Sequence, residues 1–333
     1  MPTIKDVAAR AGVSVGTVSN VLSGAATVTG GLKRRVERAI AELNYRPNHV
    51  ARSLKKRTTR TLGMIISDIA NPFFPELVRG AEDWAAERGY ILTAFNTDDR
   101  LDRERQVFDL LRSRHVDGLL LVVALERDES AHVARALAEG LPIVCLDRRP
   151  VKLAVDSVTV DNVAGSQACV RHLIAEGHRR IATIAGGSNM YLAAERLEGY
   201  RRAMADAGLT VDPQWVREGD FRRESGYAHA HALLRLKRRP TAIFSGNFPM
   251  TLGAIEAMRE LGLESPRDVA LGTFDRLAMA DVFRPRPTAV EQPSYAMGAA
   301  GTRLLIDRIE GRAPAAPQHV VLDTILRPGD SRV

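Results

Sequence analysis

The sequence predicts an α/β protein made of a small helical head, a three-helix helix-turn-helix, and a body of two parallel-sheet lobes. Three observations carry this expectation. The 333 residues exceed what one ordinary hydrophobic core organises. From residue 61 onward, apolar strand-like runs alternate with amphipathic helical stretches in two successive series. The charge is also uneven: the chain is net +7, yet residues 1–60 hold 12 Lys and Arg against 3 Asp and Glu, leaving the remainder slightly acidic. A basic head on a nearly neutral body is the footprint of a module that meets a polyanion.

The head begins with Thr3, an N-cap for "IKDVAARA", where Ile4, Val7, Ala8 and Ala11 share one helical face. Gly12 supplies the backbone angle that ends this helix, and Ser14 caps the next, "VGTVSNVLS". Two short helices joined by a Gly-containing turn form a helix-turn-helix, whose second helix enters the major groove of double-stranded DNA. Val18, Val21 and Leu22 are expected to face inward, leaving Val15, Gly16, Thr17, Ser19 and Asn20 at the DNA surface. Val15 suits a thymine methyl, Asn20 an adenine edge, and Thr17 and Ser19 suit phosphates or bases. A third helix, "LKRRVERAIAELNY", completes the core with Val36, Ile40 and Leu43, and its basic residues read as solvated charges. "NHVARSLKK" follows Pro47 as a helical piece too short to be stable alone, expected to order on DNA or against a second copy.

The stretches "TIKDVAARAGVSVGTVSNVL", "ELNYRPNHVARSLKK" and "TLGMIISDIANPFFPELVRGAED" resemble, in order and spacing, the LacI/GalR (lactose-repressor) family of bacterial transcription regulators, and the resemblance runs through the whole chain. It implies that the hinge folds on operator DNA and that Leu54 wedges into the minor groove, a contact that kinks a duplex at the cost of unstacking. Arg52 and Lys55 are expected to add salt-dependent affinity for phosphates. The sequence departs from the family at "TVTGGLKRRV", where Gly30 and Gly31 should weaken the start of the third helix.

In the body, "TLGMIISDI", "YILTAFNTD", "VDGLLLVVA" and "LPIVCLDR" form the first series, and "RRIATIAGG", "PTAIFSGN" and "VALGTFD" the second. The resemblance implies a hinged, bilobal, periplasmic-binding-protein-like core in which the late helix "SYAMGAAGTRLLIDRIEG" returns to the first lobe and the final strand "HVVLDTIL" runs toward the second. The expected partition is 1–46 for the DNA-binding head and 47–60 for the hinge. The first lobe then takes 61–161 with 293–320, and the second 162–292 with 321–333. Ligands of parallel sheets bind beyond the carboxyl ends of the strands, and two facing lobes bring those ends to one cleft. Candidate effector residues at such ends are Asp68, Asn71, Phe73, Phe74 and Asp147, with Arg196 in a following helix and Asp275 closing "LGTFD". By resemblance, Phe221 stacks on the ligand while Arg196 and Asp275 anchor its polar atoms. In "SGNFPM", after Asn247, Phe248 and Pro249 replace an expected polar group, and Met190, Tyr191 and Leu192 are also apolar. These departures suit an effector less hydroxylated than a simple hexose, or one held by other anchors.

No nucleotide loop, dinucleotide fingerprint, nucleophile elbow or metal-ligand cluster is legible, so no cofactor or metal and no catalysis is expected. His178 in "EGHRRI" reads as a residue that sets a turn. Cys145 and Cys169, the only cysteines, read as buried free thiols of a reducing compartment. "MPTIKDVAAR" lacks the apolar core of a signal peptide and no run approaches a membrane span, so the expected location is cytoplasmic. No leucine heptads follow the last strand, favouring a homodimer over a tethered tetramer. The expected function is allosteric repression: a dimer binds a palindromic operator, and a small-molecule effector, a sugar or related metabolite, changes how the two lobes meet and thereby operator affinity. Inducer and corepressor modes both use this fold; the alternative reading is a sugar-binding-protein-like small-molecule sensor that acts as an activator or without effector control.

Overall fold

The computed structural model describes residues 2–22, 28–45, 58–113, 116–126, 130–276 and 286–331, and divides in sequence into compact units at Thr59 and Arg60. The smaller unit contains helices α1 (Ile4–Ala11), α2 (Val15–Leu22) and α3 (Gly30–Glu42). Thr3 and Asp6 form a reciprocal capping box at the start of α1, and Gly12 ends it with φ 61°. Val7, Ala8, Ala11, Val18, Val36 and Ala39 make the core, with Ile4, Val21, Leu22, Ile40 and Leu43 packed against it. Two details differ from the sequence reading. Helix α3 opens at Gly30, two residues before the apolar pattern, and Thr29 adds no side-chain cap. Arg35 is no merely solvated charge, because its Nη2 donates to the carbonyls of Ala11 at 2.7 Å and Gly12 at 3.3 Å. A cation thus satisfies acceptors that the end of α1 leaves open. Residues 46–57, which include the expected hinge, lie outside the described residues.

In the larger unit, the first sheet contains β1 (Thr61–Ile66), β2 (Ile91–Asn96), β3 (Gly118–Leu121), β4 (Ile143–Leu146), β5 (Asp156–Val160) and β11 (His319–Leu322). Their order is β11-β5-β4-β3-β1-β2, with every pairing parallel. The runs "GLLL" and "IVCL" are buried at every position, as central strands covered on both faces require. The second sheet contains β6 (Ile181–Ala185), β7 (Val216–Glu218), β8 (Ala242–Ser245), β9 (Ala270–Phe274), β10 (Thr288–Glu291) and β12 (Ile325–Arg327). Its order is β12-β10-β9-β8-β6-β7, parallel except for the antiparallel edge pair β10–β12.

Seven of these strands coincide with runs read from sequence. Strand β5 ends just before the expected lobe boundary at 161/162 and was not read, nor were β7, three residues long, and β10. "HVVLDTIL" is not one strand: His319–Leu322 pairs with β5 of the first sheet, and only Ile325–Arg327 joins the second. Val321 and Leu322 therefore complete the first sheet, although the sequence reading gave them to the second lobe. Helix α4 (Phe73–Glu87) packs on α11 (Ser294–Ile309), which covers β3, β4 and β5. The backbones meet at Gly80 and Gly298, where an added Cβ would lie 2.0 Å from the carbonyl oxygens of Tyr295 and Leu77 respectively.

In each sheet the strand order reverses beside the first strand of its series, at β1/β3 and at β6/β8. Such switch points open a crevice at the carboxyl ends of the strands.

Candidate DNA interface and effector cleft

Helix α2 presents Val15, Gly16 and Asn20 to solvent, with Thr17 and Ser19 half-buried. Val15 is 41% exposed, unusual for a β-branched apolar side chain in so small a core, and is free to meet a methyl group. Ser14 Oγ accepts from the Thr17 N–H at 3.1 Å and lies 2.9 Å from Thr17 Oγ1, so this pair caps α2. Thr3 is similarly engaged with Asp6. Arg52, Leu54 and Lys55 lie outside the described residues.

The larger unit brings a buried charged group together from both lobes. Asp147 and Arg148 follow β4 of the first, while Arg196, on α8 (Tyr191–Asp206), and Asp275, after β9, come from the second. Arg196 Nε donates to Asn162 Oδ1 at 2.9 Å and Nη1 to the Gly246 carbonyl at 2.7 Å, with its guanidinium 3.7 Å over the Phe274 ring. Gln292 Nε2 donates to Asp275 Oδ1 at 2.5 Å. Arg148 Nη1 donates to Asp99 Oδ1 at 2.5 Å, and Arg148 Nε lies 3.5 Å from Asp147 Oδ2. Burial pushes the Asp147 carboxyl up to about 6, against the pull of Arg148 and Arg196. It also raises Asp275 and lowers Arg196. Arg148 Nε and Gln292 Oε1 are buried without hydrogen-bond partners among the described residues, a donor and an acceptor that a polar ligand would satisfy.

Phe221 stands between the two guanidinium groups, 6.0 Å from Arg148 and 6.0 Å from Arg196. Its ring lies over Gly186, where an added Cβ would come within 1.9 Å. Asn247 caps α10 (Phe248–Glu260) through the Met250 N–H at 3.1 Å and donates to the Phe221 carbonyl at 2.8 Å. Asp147, Phe221 and Asp275 all have positive φ, at 60°, 67° and 71°. Such conformations in non-glycine residues persist where surroundings over-determine them, often at ligand sites.

The other candidates are placed differently. Asp68 Oδ1 accepts from the Ala70 N–H at 2.9 Å and Asn71 Oδ1 from the Phe73 N–H at 3.2 Å, shaping the β1–α4 turn. Phe73 and Phe74 meet edge to face, 5.0 Å apart, and are packed in the core at the start of α4. Met190 and Leu192 open α8 and belong to a second-lobe core cluster, while Phe248 is buried at the start of α10. His178 joins Thr241 Oγ1 and the Ser331 carbonyl and is a structural residue, its pKa lowered by burial. Cys145 and Cys169 are free and buried, and burial pushes the Cys169 thiol up to about 12.

Residues 3–48 match bacterial regulatory proteins of the lacI family, and residues 59–319 match the periplasmic binding proteins and sugar binding domain of the LacI family. The chain belongs to the LacI family. This LacI-family chain is 36% identical to the HTH-type transcriptional repressor PurR of Photobacterium profundum, with 94% of this chain and 93% of that one covered. Its fold is similar to that of the transcriptional regulator CelR in its complex with cellobiose, at TM-score 0.75 and 36% identity, covering 99% of this chain and 100% of that chain. The lac repressor dimer bound to operator and the anti-inducer ONPF gives TM-score 0.87 at 27% identity, covering 99% and 98%. The LacI-family chain is an effector-controlled DNA-binding transcription regulator, and the relatives it matches include transcriptional repressors. No described helix is long and apolar enough to cross a membrane.

Several residues around this buried charged group escaped the sequence reading. Arg148 stood beside the candidate Asp147 in a basic doublet to which no role was given, and Asn162 opened the range expected for the second lobe. Gln292 has no periodic pattern around it. Glu126 lies in the loop after β3, where it accepts from the Leu192 N–H of the opposite lobe at 2.9 Å. The one available signal was position: each lies within a few residues of a strand end.

Proposed function

We propose that two copies of the chain associate through the body and place their α2 helices in the half-sites of a palindromic operator, as a cytoplasmic repressor. A small polar effector held between the lobes then sets operator affinity. The observation that carries the effector site is the buried group of Asp147, Arg148, Arg196 and Asp275 around Phe221, with Arg148 Nε and Gln292 Oε1 lacking hydrogen bonds among the described residues. A ligand with both acceptors and donors satisfies these groups, and the apolar Phe248 beside them favours few hydroxyls or a carbohydrate on altered anchors. The cellobiose complex of CelR keeps carbohydrates among the candidates. Exposed Leu252 and Ile255, three positions apart on α10, offer an apolar face for self-association. The site binds and turns nothing over in this reading, so an effector recovered unchanged is expected.

A thermal-shift screen of sugars, sugar phosphates, polyols, nucleobases and small aromatic acids tests the site. A ligand at about 100 times its Kd stabilises the body by about 2.7 kcal/mol. The response should vanish in Arg196→Met and persist when residues 1–60 are deleted, whereas operator binding should be lost with that deletion. Binding of an unmodified monosaccharide at micromolar Kd through Arg196 and Asp275 would overturn the expectation of a less hydroxylated effector. Turnover of the bound ligand would overturn the regulator-only reading.

A further inference from the structure

We propose that Leu125 and Glu126 form a latch across the cleft, filling the start of α8 with the chain's own carboxylate and thereby excluding effectors that would place an anionic group there. This rests on the reading of the cleft as the effector site and narrows the ligand class. Helix α8 begins after Met190, which supplies no side-chain cap. Its first N–H groups point out of the helix without intrahelical partners, and together with the helix dipole they favour a negative charge. In this chain that charge is internal. Glu126 is buried, and Oε2 accepts from the Leu192 N–H of the second lobe at 2.9 Å while Oε1 accepts from the Arg149 N–H of the first at 3.3 Å. The carboxylate therefore bridges the lobes by two backbone donors, and among the described residues no cation lies within ion-pair distance of it.

The segment that carries Glu126 is fixed from both sides. The Ala124 N–H donates to Glu104 Oε2 at 2.5 Å, and His132 Nε2 lies 2.7 Å from Glu104 Oε1. The Val151 N–H donates to the Glu126 carbonyl at 3.1 Å. Leu125 packs against the second-lobe cluster that contains Met190, Leu192 and Phe221. Those apolar residues, puzzling in a pocket for polar ligands, have an apolar partner on the facing lobe. Arg222 Nη2 donates to the Asp98 carbonyl at 2.7 Å and joins the lobes at a second point. An effector phosphate or carboxylate at the start of α8 would meet an occupied donor and a like charge.

The test uses full-length wild type, Glu126→Ala and Glu126→Gln. Amide exchange at Leu192 should be about tenfold faster in Glu126→Ala, the loss expected for a hydrogen bond to a charged acceptor. Inorganic phosphate should raise the unfolding midpoint of Glu126→Ala, followed by tryptophan fluorescence, and leave wild type unchanged. Equal exchange in wild type and Glu126→Ala would overturn the latch. Faster exchange with no phosphate response in the variant, or an equal response in both proteins, would overturn the exclusion. If Glu126→Ala does not fold, Glu126→Gln carries the phosphate measurement, its neutral amide removing the like charge while its carbonyl oxygen still accepts from the Leu192 N–H. Operator binding is scored separately: its absence in wild type would sink the regulator reading while leaving the exchange result valid.

Discussion

Replacing Asp147 by Asn removes a carboxylate that the fold holds against its own preference for water. An unburied carboxyl of this kind titrates near 3.8, and burial raises that of Asp147 to about 6. That separation corresponds to about 3 kcal/mol. The folded protein binds the proton more tightly than the unfolded chain, so folded stability falls as pH rises from about 4 to about 6 and is level above that range. At neutral pH the full cost is present. Asn has nearly the same shape and no charge, so Asp147→Asn should be more stable than wild type by up to about 3 kcal/mol at pH 7, with the advantage fading as the pH approaches about 4. The chain has two tryptophans, Trp84 and Trp215, both in the body, so urea unfolding followed by their fluorescence reads that unit alone. A stability difference that stays constant between about pH 4 and pH 7, or a variant less stable at pH 7, would refute this reasoning. The same variant should bind effector more weakly, the usual cost of relieving a strained site.

Asn20→Ala should change the preferred operator base while leaving the salt dependence of binding intact, and Lys55→Ala should lower the salt slope by about one with sequence preference retained; fluorescence anisotropy on operator variants reads both. Leu54→Ala should weaken specific binding, and unchanged operator affinity would sink the wedge assignment. Arg35→Ala removes the donor to the Ala11 and Gly12 carbonyls and should destabilise the head by about 1 to 2 kcal/mol, seen as faster amide exchange in α1. Gly298→Ala forces a methyl against the Leu77 carbonyl oxygen and should cost about 3 kcal/mol, read as a lower urea midpoint of the body.

What the sequence made legible follows from the range of the interactions involved. The head could be read almost whole, because caps such as Thr3 and Ser14 and the spacing of Val7, Ala11 and Val18 act within a few residues. The central strands were equally plain, since "GLLL" and "IVCL" must be buried on both faces. Strand β5 was missed because it abuts the expected boundary between the two series, and β7 because three residues carry no alternation. In the site, Asp275 was legible as a strand end, whereas the roles of Arg196, Phe221 and Asp275 came from the family resemblance. Arg148 and Glu126 depend on what faces them from the other lobe, a relation that no local pattern encodes. Asp68 and Asn71 show the converse: short polar side chains after a strand shape a turn as readily as they meet a ligand.

The division of the chain's last strands between the two sheets sets an order of events during synthesis. Strand β11 closes the edge of the first sheet by pairing with β5, and the contact between Ser157 and His319 spans 162 positions. A ribosome has therefore made all of the second lobe's parallel strands before the first lobe acquires its edge. Until then β5 offers an open row of backbone donors and acceptors, the template on which another nascent copy can pair. The nascent chain thus carries an open pairing edge for as long as the second lobe is being made, and the emergence of β11 closes it.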